Sequence, residues 1–220
     1  GMSDQAPAAL INHIVVSKLS PTKIKKTLQT LKKHGCVDSL FKGTNPSYLD
    51  LVHRMVKSNI RKAGALLLDK HMSESGLEKA LSLYPNEIID TLQASKLKGR
   101  GGAGFSLATK WQTAKNTEAP ESYVICNADE GEPGTFKDRV LLTERANLVF
   151  EGMTIAAYTI GSSQGILYLR AEYRYLLPHL EHILEQRRHK GLLGQAISFN
   201  PENKAIFHFD IRIQLGAGAY

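Results

Sequence analysis

The sequence predicts an α/β protein whose core is a parallel sheet, preceded by a mostly helical region. Three observations carry this. The β-rich run at 123–126, the apolar helical stretch at 148–160, the strand at 166–169 and the amphipathic stretch at 172–190 follow in the order strand, helix, strand, helix of a parallel sheet. From Ala205 to Leu215 apolar and polar residues alternate strictly, the signature of a strand with one buried face. The first of these strands runs into polar Asn127 and the last into Gly216-Ala-Gly-Ala-Tyr220, so loops with binding chemistry stand at strand ends.

Taken in order, residues 3 to 13 are small and polar and read as a loose terminus, followed by the short β-prone run Ile14-Val15-Val16. Ser20-Pro21 supplies an N-cap and first-turn pair, Ile24, Leu28 and Leu31 share one face among lysines, and Gly35 stops the helix. The expected arrangement packs that face on its own domain and leaves the lysines solvated. Residues 47 to 84 continue in helical style. Pro85 opens a helix whose stripe of Ile88, Ile89, Leu92 and Leu97 ends at the glycines of 99–104. After the strand at 123–126, the apolar positions from Leu148 to Ile160 form a buried helix closed by Gly161. Pro178 predicts a kink in the helix at 172–190. The domain reading is a basic, mostly helical region over 1–84 and an α/β portion over 85–220.

Composition removes several function classes. The 220 residues are 42% hydrophobic and 22% charged, enough for one large domain or a moderate one with an appendage. No apolar run reaches the length of about 18 residues that a membrane span needs. Two cysteines, Cys36 and Cys126, cannot supply the four thiolates of an iron–sulfur cluster or a disulfide framework. The net charge of +7 resides in the first 98 residues, with 15 Lys+Arg against 8 Asp+Glu, while the remainder is balanced at 13 against 13. Nucleic-acid binding is therefore not expected, because the specific motifs lie in the neutral part. His179 and His182 stand three apart on a helix and could ligate a metal, but a solvated pair is the expectation.

The motifs concentrate in two loops. Gly99-Arg-Gly-Gly-Ala-Gly104 satisfies G-x-G-x-x-G, yet follows a helical segment where the dinucleotide fingerprint requires a strand. What remains is physical: Gly99, Gly101, Gly102 and Gly104 let the backbone approach a planar or phosphorylated ligand, and Arg100 and Lys110 add positive charge. A flexible surface turn is the alternative. Asp129, Glu130 and Glu132 crowd within four residues between Asn127 and the Pro133-Gly134 turn. Carboxylates so close need a metal, cations or hydroxyl donors to relieve their repulsion, and sugar hydroxyls suit them better than calcium, whose EF-hand spacing is absent. A solvated acidic turn stays open as the alternative.

Together, Gly99 to Phe105 with Lys110-Trp111, then Asn127-Ala-Asp-Glu-Gly-Glu-Pro-Gly-Thr-Phe-Lys-Asp-Arg139, and finally Gly216 to Tyr220 resemble the flavin-binding F-type subunit of respiratory complex I. The same module occurs in NAD-reducing hydrogenases and NAD-dependent formate dehydrogenases. The resemblance covers about Pro85 to the last residue. It implies FMN in a Rossmann-like domain, hydride transfer from NADH, and single electrons passed to iron–sulfur clusters of partner subunits. By position, Arg100, Gly102 and Lys110, within the loop of Gly99, Gly101 and Gly104, would contact FMN. Asn127, Asp129 and Glu130 would hold its ribityl or ring polar atoms. Phe105 would stack on NADH, Glu132 would hydrogen-bond it, and Gly218 and Tyr220 would line the shared pocket.

The family continues beyond its Gly-Ala-Gly-Ala-Tyr stretch into further flavin contacts and a cysteine-rich cluster domain. The expectation is a truncated chain, with at most half of the flavin pocket, no cluster and no complete activity alone. Thr113 stands where some members have a second aromatic for the nicotinamide nucleotide, Gly131 lies at a position that varies within the family, and residues 1–84 lack the cysteine set of the thioredoxin-like cluster domain fused in some relatives. The implied location is cytoplasmic, peripheral on the inner membrane face through a complex. A non-catalytic nucleotide-binding or assembly module of a redox complex is the second reading. The choice between NADH and NADPH is left open, as is that among the three kinds of complex.

Overall fold

In a computed structural model the described residues are 2–12, 14–41, 48–57, 75–198 and 207–218. The helical expectation at Leu66 to Leu68 and the start of the last strand at Ala205 lie outside them.

The N-terminal segment is not loose. Ala9–Ile11 (β1) and Ile14–Val16 (β2) pair as an antiparallel hairpin, and Ile14, Val15 and Val16 are buried. Ahead of the hairpin, fully buried Gln5 donates from its amide to Lys57 O at 2.8 Å and accepts from Lys57 N at 3.4 Å, so it acts as a one-residue strand partner. The adjacent Asp4 carboxylate accepts from Arg139 Nη2 at 2.7 Å, and Arg139 is only 2% exposed. Polarity in this stretch reflects a sequestered hydrogen-bond set, which composition alone cannot distinguish from a solvated tail.

Pro21–His34 (α1) forms as its signals predict: Ser20 Oγ accepts from Lys23 N at 3.2 Å, and Gly35 takes the left-handed conformation at φ 63°. Its apolar stripe packs only in part: Leu31 is half-buried, Ile24 and Leu28 are exposed, and the helix rests mainly on the 3-10 turn at Val37–Phe41. Tyr48–Met55 (α2) and Ser75–Leu81 (α3) follow, and Val52, Met55, Leu77 and Leu81 join the main core. Pro85–Ser95 (α4) ends at Lys96, which adopts φ 54°, so Leu97 lies beyond the helix and is 46% exposed.

Leu107–Asn116 (α5) comes next, a helix whose apolar pattern is too weak to announce it. Then come Tyr123–Ala128 (β3), Lys137–Glu144 (α6), Ala146–Ile160 (α7) and Gln164–Leu169 (β4). Pro178 does not kink a long helix. A 3-10 turn at Ala171–Leu176 precedes Leu177–His189 (α8), whose first turn holds the proline, where no amide partner is lost. Gly194–Ile197 (β5) and Phe207–Leu215 (β6) complete the chain.

The sheet order is β3-β4-β6-β5, with β3, β4 and β6 parallel and β5 antiparallel at the edge. Helix α7 packs on all three parallel strands and against α3, α4, α5, α6 and α8. Phe150 and Ala157 are fully buried there, and hiding a side chain such as Phe150 contributes roughly 1.5–3 kcal/mol. The face of β3 turned away from the core leaves Ile125 62% exposed.

Gly165 in β4 has no room for a methyl group: an added Cβ would lie 2.6 Å from Phe209 Cζ and 2.9 Å from Ile211 Cγ1. Gly165→Ala is expected to destabilise the domain by about 1–3 kcal/mol, read as a lower urea midpoint. His179 in α8 is 6% exposed, and burial holds its pKa below 6.5. The Thr143 carbonyl and Glu144 oppose that shift, while His53 and His182 add to it. The unfolded chain therefore takes the proton first, so this group's contribution to stability is lost as pH falls through 6.5 toward the folded pKa. Urea titrations across that window should show less pH dependence for His179→Gln.

Candidate functional site

Three strands deliver their loops to one edge. Ala128, Leu169 and Leu215 are register partners at the carboxyl ends of β3, β4 and β6, so the acidic loop, Arg170 and the glycine turn leave the sheet side by side. Arg170 N bonds Ala128 O at 3.1 Å and Gly216 N bonds Leu169 O at 2.8 Å, which ties each loop to its neighbour. The Arg170 guanidinium donates to Glu130 O and pairs with Glu172 at 2.9 Å. That hydrogen bond holds the Glu172 carboxyl below its ordinary pKa and raises that of Arg170. A Cβ at Gly216 would meet Tyr168 and Leu169 O at 3.3–3.5 Å, and Gly218 sits at φ 74° against Ala171. Tyr220 lies outside the described residues.

The acidic loop divides its carboxylates. Glu130 points inward, 4% exposed, and accepts from Asp138 N at 2.9 Å, Arg139 N at 3.4 Å and the Tyr173 hydroxyl at 2.7 Å. It thereby satisfies the open amides of α6, as an N-cap would from within the loop. Burial first, and then this carboxylate, push the Tyr173 phenol upward in pKa. Asp129 and Glu132 face solvent. Asn127 Oδ1 accepts from Asp129 N at 3.0 Å, Gly131 N bonds Asp129 O at 2.8 Å, and Thr135 Oγ1 bonds Glu132 O at 2.6 Å. These turns present Asn127, Asp129 and Glu132 outward. Asn127 lies in one row with Tyr168 and Gln214 on the face opposite the core.

The glycine loop connects α4 to α5. Its ends close through the bridge Lys98 to Ser106, with Gly99 N on Phe105 O at 2.9 Å and Leu107 N on Leu97 O at 3.0 Å. Ser106 caps α5 by accepting from Thr109 N at 3.4 Å, so the loop opens directly onto a helix N-terminus, the usual place for an anion. Gly104 has φ 69°, and neither Gly101 nor Gly102 has an atom within 4 Å of where a Cβ would stand. Arg100 and Lys110 are exposed beside the loop, and Phe105 is 58% exposed. α4 and α5 rest on α7, the same helix that supports the sheet.

The donor set fits a flavin mononucleotide: backbone amides and cations at a helix start, outward amide and carboxylate oxygens for hydroxyls, and an exposed ring. Among the described residues no cluster of His, Cys, Asp or Glu is arranged for a metal ion. His179 turns to Thr143 O at 3.3 Å and His182 to Gln186 at 3.0 Å. Arg170, Glu172 and Tyr173 belong to this edge, although sequence reasoning does not single them out as site residues. Only Arg170 carries a local signal, a polar residue immediately after the strand Gln164–Leu169, whereas Glu172 and Tyr173 lie in the 3-10 turn beyond it.

Glu130→Gln removes the charge but keeps the size, and three donors then face a weaker acceptor. A loss of about 1.5–3 kcal/mol in unfolding free energy is expected, checked by urea denaturation. Asp129→Asn at the exposed position should change stability little.

A sequence profile of the Nuo51 FMN-binding domain matches residues 92–220. The chain is 48% identical over 226 aligned positions to the NAD-reducing hydrogenase HoxS alpha chain of Cupriavidus necator, covering 100% of this chain and 36% of that protein. It is 39% identical over 176 positions to the F-type subunit of NADH-quinone oxidoreductase from Aquifex aeolicus, covering 79% of this chain and 40% of that one. The crystal structure of NAD+-reducing NiFe-hydrogenase in the H2-reduced state superposes with a TM-score of 0.80 at 38% identity, over 99% of this chain and 35% of its counterpart. The chain thus spans little more than a third of the length of these relatives. With profile, sequence and fold in agreement over the segment that holds both loops, the chain belongs to the family of the Nuo51 FMN-binding domain.

Proposed function

We propose that this chain contributes the phosphate- and ribityl-facing part of an FMN pocket in an NADH-oxidising subunit of a larger redox complex. The observation that carries the reading is the shared carboxyl edge of β3, β4 and β6, where the acidic loop and the Gly216 turn emerge together, with a glycine loop opening α5 on the same supporting helix. The names of the relatives, a NAD-reducing hydrogenase subunit and a quinone oxidoreductase subunit, support it.

In this reading Gly99, Gly101, Gly102 and Gly104 offer amides to the phosphate, and Arg100 and Lys110 neutralise it. Asn127 and Asp129 bind the ribityl hydroxyls. Glu130 fixes the loop from behind through α6 and Tyr173. Phe105 stacks on the nicotinamide nucleotide, Glu132 bonds it, and Gly218 and Tyr220 close the pocket wall. When bound, FMN supplies hydride acceptance and release of single electrons, so no protein base is needed. The chain's residues would bind and orient the two rings for the transfer.

Electrons leave to iron–sulfur clusters carried by other segments or subunits, since Cys36 and Cys126 cannot hold one. The division near residue 84 belongs to the same reading, because the family profile begins at residue 92. Among the described residues no helix is long and apolar enough to cross a membrane. A cytoplasmic place, peripheral on the inner membrane face through the complex, follows from the reading.

The test is flavin binding by the full-length protein that contains this chain. Tight FMN with absorbance bleached by NADH supports the reading, and absence of flavin from that protein overturns it. Lys110→Ala should raise the FMN dissociation constant about tenfold by fluorescence titration, through loss of one charge-assisted contact.

A further inference from the structure

Helix α1 stands apart from the flavin edge and has little cover. None of its 14 residues is buried, and its main packing is to the 3-10 turn at Val37–Phe41. It carries Lys23, Lys25, Lys26, Lys32 and Lys33 and no carboxylate, while Ile24 and Leu28 are 44% and 53% exposed. Beside it runs a groove of about 640 Å³, floored by Val15, Val16 and Met55 and walled by Lys26, His34 and Arg54. Among the described residues no Asp or Glu lines this groove.

We propose that α1 and this groove dock an acidic, amphipathic segment of a partner polypeptide. Charge complementarity selects the sign: cations on both walls meet no internal carboxylate lining and attract one from outside. Shape selects the class. The α1 residues that line the groove run from Lys23 to His34, about 16 Å of helix, which is longer than a compact anion and suits a chain segment. A flat lipid surface would meet Ile24 and Leu28 but leave a concave groove unfilled, and α1 has no aromatic residue to anchor it in headgroups. A nucleic-acid backbone would gain nothing from the groove's apolar floor of Val15, Val16 and Met55, nor from exposed Ile24 and Leu28 on the adjoining face of α1. The partner's carboxylates pair with Lys26 and Arg54, its apolar residues meet the floor of Val15, Val16 and Met55, and its edge covers Leu28 on the adjoining face of α1.

The probe is a dye-labelled synthetic peptide with Glu and Leu at helical spacing, titrated into the full-length protein by fluorescence anisotropy. Saturable, salt-sensitive binding is expected, weakened about tenfold or more by the double variant Lys26→Glu/Arg54→Glu and by Leu28→Asp, but not by the charge-matched double control Lys79→Glu/Lys115→Glu. Carbodiimide coupling should join peptide carboxylates to Lys23, Lys26 or Lys33. Circular dichroism and unchanged FMN content of each variant keep misfolding and failure of the flavin reading separate from failure of docking. No peptide binding, binding indifferent to the double variant, or tighter binding to phosphatidylglycerol vesicles or duplex DNA than to the peptide overturns the proposal.

Discussion

The burial of α7 against the three parallel strands is the contact on which the other elements rest. Ala156 and Ala157 let its backbone approach, Phe150 and Met153 fill the space left, and buried Thr154 and Thr159 return their hydroxyls to Phe150 O and Ile155 O in the preceding turn. Buried Glu151 accepts from Leu77 N at 2.8 Å, so α7 also anchors the start of α3. Gly76 is part of that contact, because a Cβ there would stand 3.0 Å from the Glu151 carboxylate. A helix buried nearly all round needs cover on every side, and α3, α4, α5, α6 and α8 provide it. The glycine loop and the carboxyl edge of the sheet are thereby held on a common support, although they are distant in sequence.

Much of this was legible in the chain itself. The Leu148 to Ile160 pattern, the caps at Ser20, Gly35 and Gly161, and the alternation through Leu215 are local signals with local causes, and the described residues follow them. The family was also readable, because three long motifs in order leave few alternatives. What escaped depends on contacts distant in sequence. Asp4 and Gln5 look like tail residues until Arg139 and Lys57 stand beside them. Leu97 reads as the last position of a stripe, yet Lys96 ends the helix in the left-handed region. Ile24 and Leu28 show how amphipathic spacing predicts a helix without saying what covers it. α5 escaped because its Lys110, Gln112 and Lys115 blur the period.

Within the acidic loop the same residue type does two kinds of work. Glu130 stabilises the scaffold from inside, with three donors on its oxygens, whereas Asp129 and Glu132 keep their carboxylates at the surface. This division relieves the repulsion that clustering implied, since one of the three charges is taken up by α6 and Tyr173 rather than by its neighbours. On the proposed function, substitutions in one short motif separate into effects on folding and effects on ligand. Sequence position gives no hint of which is which.

The Asp4 to Arg139 pair joins residues 135 positions apart. At a synthesis rate of about 5–20 residues per second, roughly ten seconds pass on the ribosome between the appearance of the carboxylate and that of its guanidinium. For that interval the carboxylate waits for the guanidinium that will bury it. Its docking therefore follows the arrival of α6 and, with it, the ordering of the loop that Glu130 secures.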